Sequence, residues 1–156
     1  MQVDDELAAF LEVGGSLIVA TVDTDGRPDA ARAFDLQVLP DRSRVRVQLA
    51  VEATTAIANV DAGRSVAVTV TEVFTARSVQ VKGHGTPTTP PNAADTVHGD
   101  RYRAEFLANV AEVEQIPIEL PRRLLPEQFV AFEMDIEEIY DQTPGPSAGA
   151  PLGGDA

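Results

Sequence analysis

The chain contains no cysteine, which excludes disulfides, thiolate metal sites and cysteine nucleophiles outright. It is also poor in cations: 12 Lys and Arg stand against 25 acids, for a formal net charge of -13. A field of that sign repels phosphate backbones and anionic lipid, so neither nucleic acid nor a membrane surface is expected as a partner. No apolar run approaches the length of a membrane span. The start, Met1-Gln2-Val3-Asp4-Asp5-Glu6, has neither the basic nor the apolar region of an export signal, so a cytoplasmic location is expected. His84 and His98 are the only histidines, and no local spacing around them builds a metal site. Ser16, Ser78 and Ser147 lack a nucleophile-elbow context, and neither a phosphate loop nor a dinucleotide fingerprint is present. No catalytic acid or base is identified.

What is there reads as one domain. A chain of 156 residues can bury a single core but not two ordinary ones. Leu7, Phe10 and Leu11 recur at helical spacing behind leading acids, predicting a short helix over 4–11 that Gly14-Gly15 ends. Ser16 to Val22 reads as a central strand entering the turn Thr24-Asp25-Gly26-Arg27-Pro28. A second strand is expected over Ala30 to Leu39, with Phe34, Leu36 and Val38 on one face. Val45, Val47 and Leu49 alternate against Arg44, Arg46 and Gln48, which predicts a strand with those three polar residues toward solvent. The alternation breaks over Ala53 to Val60, where Thr54 or Thr55 can cap a short helix. It resumes at Val66, Val68 and Val70, and again over Ser78 to Lys82.

The stretch from Gly83 to Val97, rich in Gly, Pro and Thr, is expected to be irregular. Tyr102, Phe106, Val110 and Val113 predict an amphipathic helix over Asp100 to Glu114, packed on the sheet. A late strand begins near Phe129, with Val130, Phe132, Met134 and Ile136 toward the core. Residues 1–141 are thus expected to form one barrel domain with this accessory helix, and 142–156 a Gly/Pro-rich tail. That tail is either a flexible end or a rigid turn bordering a pocket. The hairpin-scale separations favour an antiparallel barrel over an α/β sheet: an all-β core with peripheral helices.

The order of these segments over 5–84, returning at 129–149, resembles the pyridoxamine-phosphate oxidase-like superfamily of FMN-binding split β-barrels. Its components are the Val19 to Pro28 strand-turn, the Arg32 strand, the strand-helix-strand Val45 to Val70, and Arg77-Ser78-Val79-Gln80-Val81-Lys82-Gly83. The resemblance implies a homodimer with FMN at the subunit interface. It marks Arg32, Thr54 and Thr55 for the phosphate side, and Arg77, Ser78 and Lys82 for the ring or ribityl chain. A guanidinium can give phosphate two parallel hydrogen bonds. The basic positions expected near the helix start and after the Arg32 strand fall on Thr54, Thr55 or Ala56 and on Gln37, so fewer charge-assisted bonds reach the phosphate.

Two functional expectations follow. The first is an FMN-dependent oxidoreductase acting on a small-molecule redox substrate other than pyridoxamine phosphate. Its premise is that the chain lacks a basic, aromatic C-terminal substrate region. The alternative is a non-enzymatic cofactor-binding or sensory split barrel with an altered or empty flavin site, open to a deazaflavin or haem.

Overall fold

The computed structural model describes residues 1–152; the last four residues of the expected tail lie outside the described residues. Helix α1 spans Asp5–Leu11 and starts where the Asp4 carboxylate accepts from the Leu7 amide. It ends before Gly14, whose φ of 64° suits glycine. Seven strands follow: β1 (Ser16–Val22), β2 (Pro28–Val38), β3 (Arg44–Ala50), β4 (Ser65–Thr71), β5 (Ser78–His84), β6 (Phe129–Asp135) and β7 (Glu138–Asp141). They form one antiparallel sheet in the order β6-β3-β2-β1-β4-β5-β7. The sheet curls until its ends meet, since β6 pairs with β3 and β7, a few residues on, pairs with β5. Bridges from Gly85 to Met134 and from Thr89 to Ala131 complete this split barrel.

Alternation places the core. Val19, Leu36, Val45, Val47, Leu49, Val68, Val70, Val81, Phe132 and Met134 fill the inside of the curl. Helix α2 (Thr54–Asp61) plugs one end with Ala56 and Val60, and buried Asn59 donates to Thr21 Oγ1 at 2.9 Å. The residue capping α2 is Ala53, with no side-chain cap bond, and Thr54 and Thr55 are both exposed. The expected threonine cap is therefore not formed, because the chain enters the helix one residue before either hydroxyl can reach back.

Three further expectations are corrected. A β-bulge between Ala33 and Asp35 turns Phe34 and Asp35 both toward the outer face, so Phe34 does not share the core face with Leu36. Gln48 is not toward solvent: it is buried on the outer face, where its amide donates to Asp35 at 2.7 Å and to the Asp95 carbonyl at 2.8 Å. The accessory helix, α3, spans Ala93–Glu114 rather than starting at Asp100. Asn92 and Asp95 form a reciprocal capping box that starts it directly after Pro90-Pro91.

Helix α3 lies across the outer face of β2 and β3, and a one-turn helix, α4 (Glu119–Arg122), follows it. The chain after β7 turns back on itself, with Leu152 donating to the Ile139 carbonyl and Leu152, Met1 and Arg77 lining a shared cleft. Among the described residues no helix is long and apolar enough to cross a membrane.

Candidate ligand-binding site

Strand β2 carries Arg32 on the face opposite the core, opposite Ile18 of β1. The bulge that follows adds Phe34 to the same side. Helix α3 spans this region at a distance set by aromatic side chains, while Gly99, one face-turn earlier, touches the sheet so closely that a Cβ there would press on Gln48 and Arg103. The helix therefore approaches the sheet closely at Gly99 and packs chiefly on β2, leaving a gap beside Phe106. The gap is a cavity of about 350 Å³ lined by Arg32, Phe34, Phe106, Leu107, Val110 and Leu124, among others. Its walls are mostly apolar, which suits the body of a small organic ligand.

Among the described residues Arg32 is the only charged one on that wall. Its guanidinium donates to Ser16 Oγ at 3.3 Å and lies 5.8 Å from the centre of the Phe106 ring. Among the described residues no carboxylate pairs with it, in a chain where acids outnumber cations two to one. A guanidinium without a counter-ion beside apolar walls can receive one anionic group.

The other residues marked for a flavin are spread around the barrel. Lys82 and Ser78 share the outer face with Arg32 but stand on β5, across β1 and β4. Lys82 lies over the Tyr140 ring at 4.3 Å and lines a second cavity, with His84. Ser78 is buried, 2.9 Å from Thr71 Oγ1. Arg77 stacks on Phe10 at 4.4 Å and faces Glu6 at 3.6 Å. Thr54 and Thr55 open α2 at the end of the barrel and line none of these cavities. Within one chain the six positions do not converge.

A polar seam beneath α3 was not legible from local spacing. Arg46 meets Asp95 through two contacts of 2.7 Å, and His98 meets Asp35 at 2.8 Å and faces Glu12 at 3.7 Å. The hydrogen bond to Asp35, joined by that to Glu12, raises the His98 imidazole from its ordinary value to about 9. Burial pushes the Asp95 carboxyl up, yet the Arg46 guanidinium and the Asn92 amide outweigh it and hold the group below its usual range. The seam neutralises charge under the helix, and among the described residues Arg46 and His98 are both paired with carboxylates there. No group of three or more His, Asp or Glu residues suited to a metal occurs among the described residues.

The sequence matches the profile described as pyridoxamine 5'-phosphate oxidase over residues 3–143. No curated protein matches it significantly. Among solved structures, HupZ from Group A Streptococcus is 15% identical and superposes with a TM-score of 0.57, covering 95% of this chain and 100% of its own. A conserved hypothetical protein from Mycobacterium tuberculosis is 13% identical with a TM-score of 0.58, over 90% and 84% of the two chains. An F420 reductase is 17% identical with a TM-score of 0.56, over 88% and 98%. These structures share the curled sheet with peripheral helices. With the profile match spanning nearly all of the folded chain, this protein belongs to the pyridoxamine 5'-phosphate oxidase-like split-barrel superfamily.

Proposed function

We propose that the protein is a non-enzymatic cofactor-binding or sensory split barrel with an altered flavin site. It would take a planar, largely apolar ligand bearing one anionic group into the cavity between α3 and β2. The observation that carries this is the unpaired Arg32 on the wall of an otherwise apolar cavity. The residues present fit a flavin-like ring but not the full phosphate grip of FMN. The start of α2 has two exposed threonines, no cation and no side-chain cap, so one guanidinium is left where several donors would be needed.

In that role Arg32 orients the anionic end, Phe34 and Phe106 flank the body, and Val110, Leu107 and Leu124 exclude water. A bound flavin-type ring would supply redox capacity of its own, and no side chain in the cavity is placed to move a proton for it. The F420 reductase of similar fold supports including a deazaflavin among the ligands tested.

Titration of the purified protein with FMN and riboflavin, beside absorption and mass analysis, tests the proposal. One charge-assisted contact is worth roughly 1.5–3 kcal/mol, so FMN should be preferred by no more than about a hundredfold. Arg32→Ala should erase that preference in a folded protein. Tight FMN binding with substrate turnover would restore the FMN-dependent oxidoreductase instead. A preference unmoved by Arg32→Ala would place the anion elsewhere.

A homodimer completes the reading. Outside α3 the outer face of β1 and β4 presents Ile18, 39% exposed, with Ala20, Ala67 and Thr69 beside it. Such a flat row of small side chains suits a second copy of the same sheet. Light scattering across a concentration series should show a dimer that Ile18→Glu dissociates; a monomer at every concentration would reject it.

A further inference from the structure

We propose that the cavity beside Arg103 is a small-molecule site in its own right, and that it binds a free α-amino acid with an apolar side chain. The proposal does not depend on what the Arg32 cavity holds. Asp100 and Arg103 stand on one face of α3. Pro91 precedes that helix, Val51 follows β3, and Glu127 and Phe129 lead into β6. Together they line a cavity of about 440 Å³. That lies within the range of small-molecule pockets, about 300–1,000 Å³. The Val51 amide donates to the Gln128 carbonyl at 3.1 Å and ties two of its walls together. None of these residues belongs to β1 or β4, whose outer face is assigned above to a second copy.

Arg103 is the cation of the site and is only 9% exposed. Its guanidinium lies 4.4 Å from the centre of the Phe129 ring, which Phe34 braces at 5.6 Å. Gly99 makes room for it, since a Cβ there would stand 2.7 Å from Arg103 Nη1. The group is therefore fixed before any ligand arrives. Its hydrogen bonds are incomplete. Nη2 donates to Asp100 at 2.8 Å and Nη1 to Gln48 Oε1 at a long 3.4 Å, while Nε has no partner among the described residues. The Asp100 side chain is 71% exposed, and so exposed a partner holds the guanidinium only weakly. A largely buried guanidinium on an aromatic ring, with N–H groups to spare, is a receptor for a carboxylate.

The acids on the wall decide which kind of carboxylate. One cation, Arg103, stands there against two carboxylates, Asp100 and Glu127. A simple anion meets net repulsion from that set, and a simple cation gains nothing from the guanidinium. A zwitterion satisfies both signs, with its carboxylate on Arg103 and its ammonium toward Asp100 and Glu127. Val51 and Pro91 then cover an apolar side chain. No bond is made or broken, which accords with a protein that senses or carries its ligands.

The test is calorimetric titration of the full chain, without flavin, by L-leucine and L-phenylalanine. Their deaminated acids, isocaproate and hydrocinnamate, and their decarboxylated amines, isoamylamine and phenethylamine, are titrated beside them. At least one amino acid should bind saturably, one per chain, with its acid and its amine each at least about tenfold weaker. Arg103→Lys keeps the charge but loses the fork, and should weaken the amino acid about tenfold. Because Arg103 is also packed beneath α3, circular dichroism accompanies that variant, and Glu127→Gln supplies a second arm at an exposed position. Glu127→Gln should weaken the amino acid about threefold and tighten the deaminated acid, opposite signs that a structural role would not give. Arg122→Ala, outside the cavity, should change neither. The proposal is overturned if neither amino acid binds, if the acid or the amine binds as tightly, or if either variant, folded, binds as the native protein does.

Discussion

His98 Nδ1 lies 2.8 Å from Asp35 Oδ1 and clamps α3 onto the bulge of β2. The ring also faces Glu12, and Arg101 of its own helix approaches Nε2 at 3.1 Å. An imidazolium repels that guanidinium, but Arg101 is exposed and lies 4.0 Å from Glu105, to which it can turn. Asp35 outweighs it, and the folded ring titrates near 9 against an ordinary 6.5. The sign follows directly: a raised histidine adds stability that is complete below about pH 6.5 and is lost as pH rises through 9. Urea melts should show a loss on the order of 1–3 kcal/mol across that window. His98→Ala should flatten it, and Arg101→Ala should move the loss to higher pH. A flat native profile from pH 6 to 10 would contradict the clamp.

The strands were legible because period-two burial needs only neighbouring residues. Val45, Val47 and Leu49, Val66, Val68 and Val70, and Phe132, Met134 and Ile136 all turned inward as their alternation predicts. What escaped was non-local. The bulge at Phe34 depends on pairing with β3, and the start of α3 was hidden in a stretch whose Gly, Pro and Thr content suggested a loop. Asn92 followed three residues later by Asp95 was the signal that would have found it. His98 and Asp35 are 63 positions apart, so no spacing rule joins them. Arg32 was found through family resemblance; its cavity depends on how α3 packs over β2, which only tertiary structure decides.

Asp95 has two duties, pairing with Arg46 and closing the cap of α3 by accepting from the Asn92 amide. Its side chain is 3% exposed. Asp95→Ala therefore leaves the largely buried Arg46 guanidinium with only the longer Glu133 contact at 3.6 Å and frays the helix start at once. A loss of roughly 3–5 kcal/mol is expected, or a fall in Tm on the order of 10 °C for a chain of this size. Asp95→Asn keeps a neutral oxygen that can accept from the cap amide or from Arg46, so it should lose distinctly less. Equal losses from both substitutions would show that the cap, not the charge, is irrelevant to the helix.

Gly83 is where barrel closure leaves no room for a side chain. A Cβ there would overlap the Asp135 carbonyl oxygen and meet Met134 Cγ at 3.3 Å. Gly83→Ala must push β6 away from β5, at a cost of about 3 kcal/mol or more. Denaturant titration should register that loss, and hydrogen exchange should open first at the Gly85–Met134 bridge. Wild-type stability in Gly83→Ala would mean that the closure is softer than its contacts imply.

Val110 separates the cavity hypothesis from one in which the ligand lies elsewhere on the barrel. It is half-buried on α3 and lines the apolar wall opposite Arg32 without touching the polar seam. A tryptophan at this position would fill space that holds no protein atoms, adding about 0.8 kcal/mol of stabilisation for each CH₂-equivalent newly buried. Strain from overpacking opposes that gain, so the melting temperature of Val110→Trp should change by only a few degrees. Ligand affinity should fall at least about tenfold, since loss of even 1.4 kcal/mol of contact has that effect. The informative comparison is flavin titration of Val110→Trp beside Arg32→Ala. If both weaken binding, the ring and the anion occupy one cavity. If Val110→Trp binds as the native protein does, the ring lies outside it and the assignment of this cavity fails.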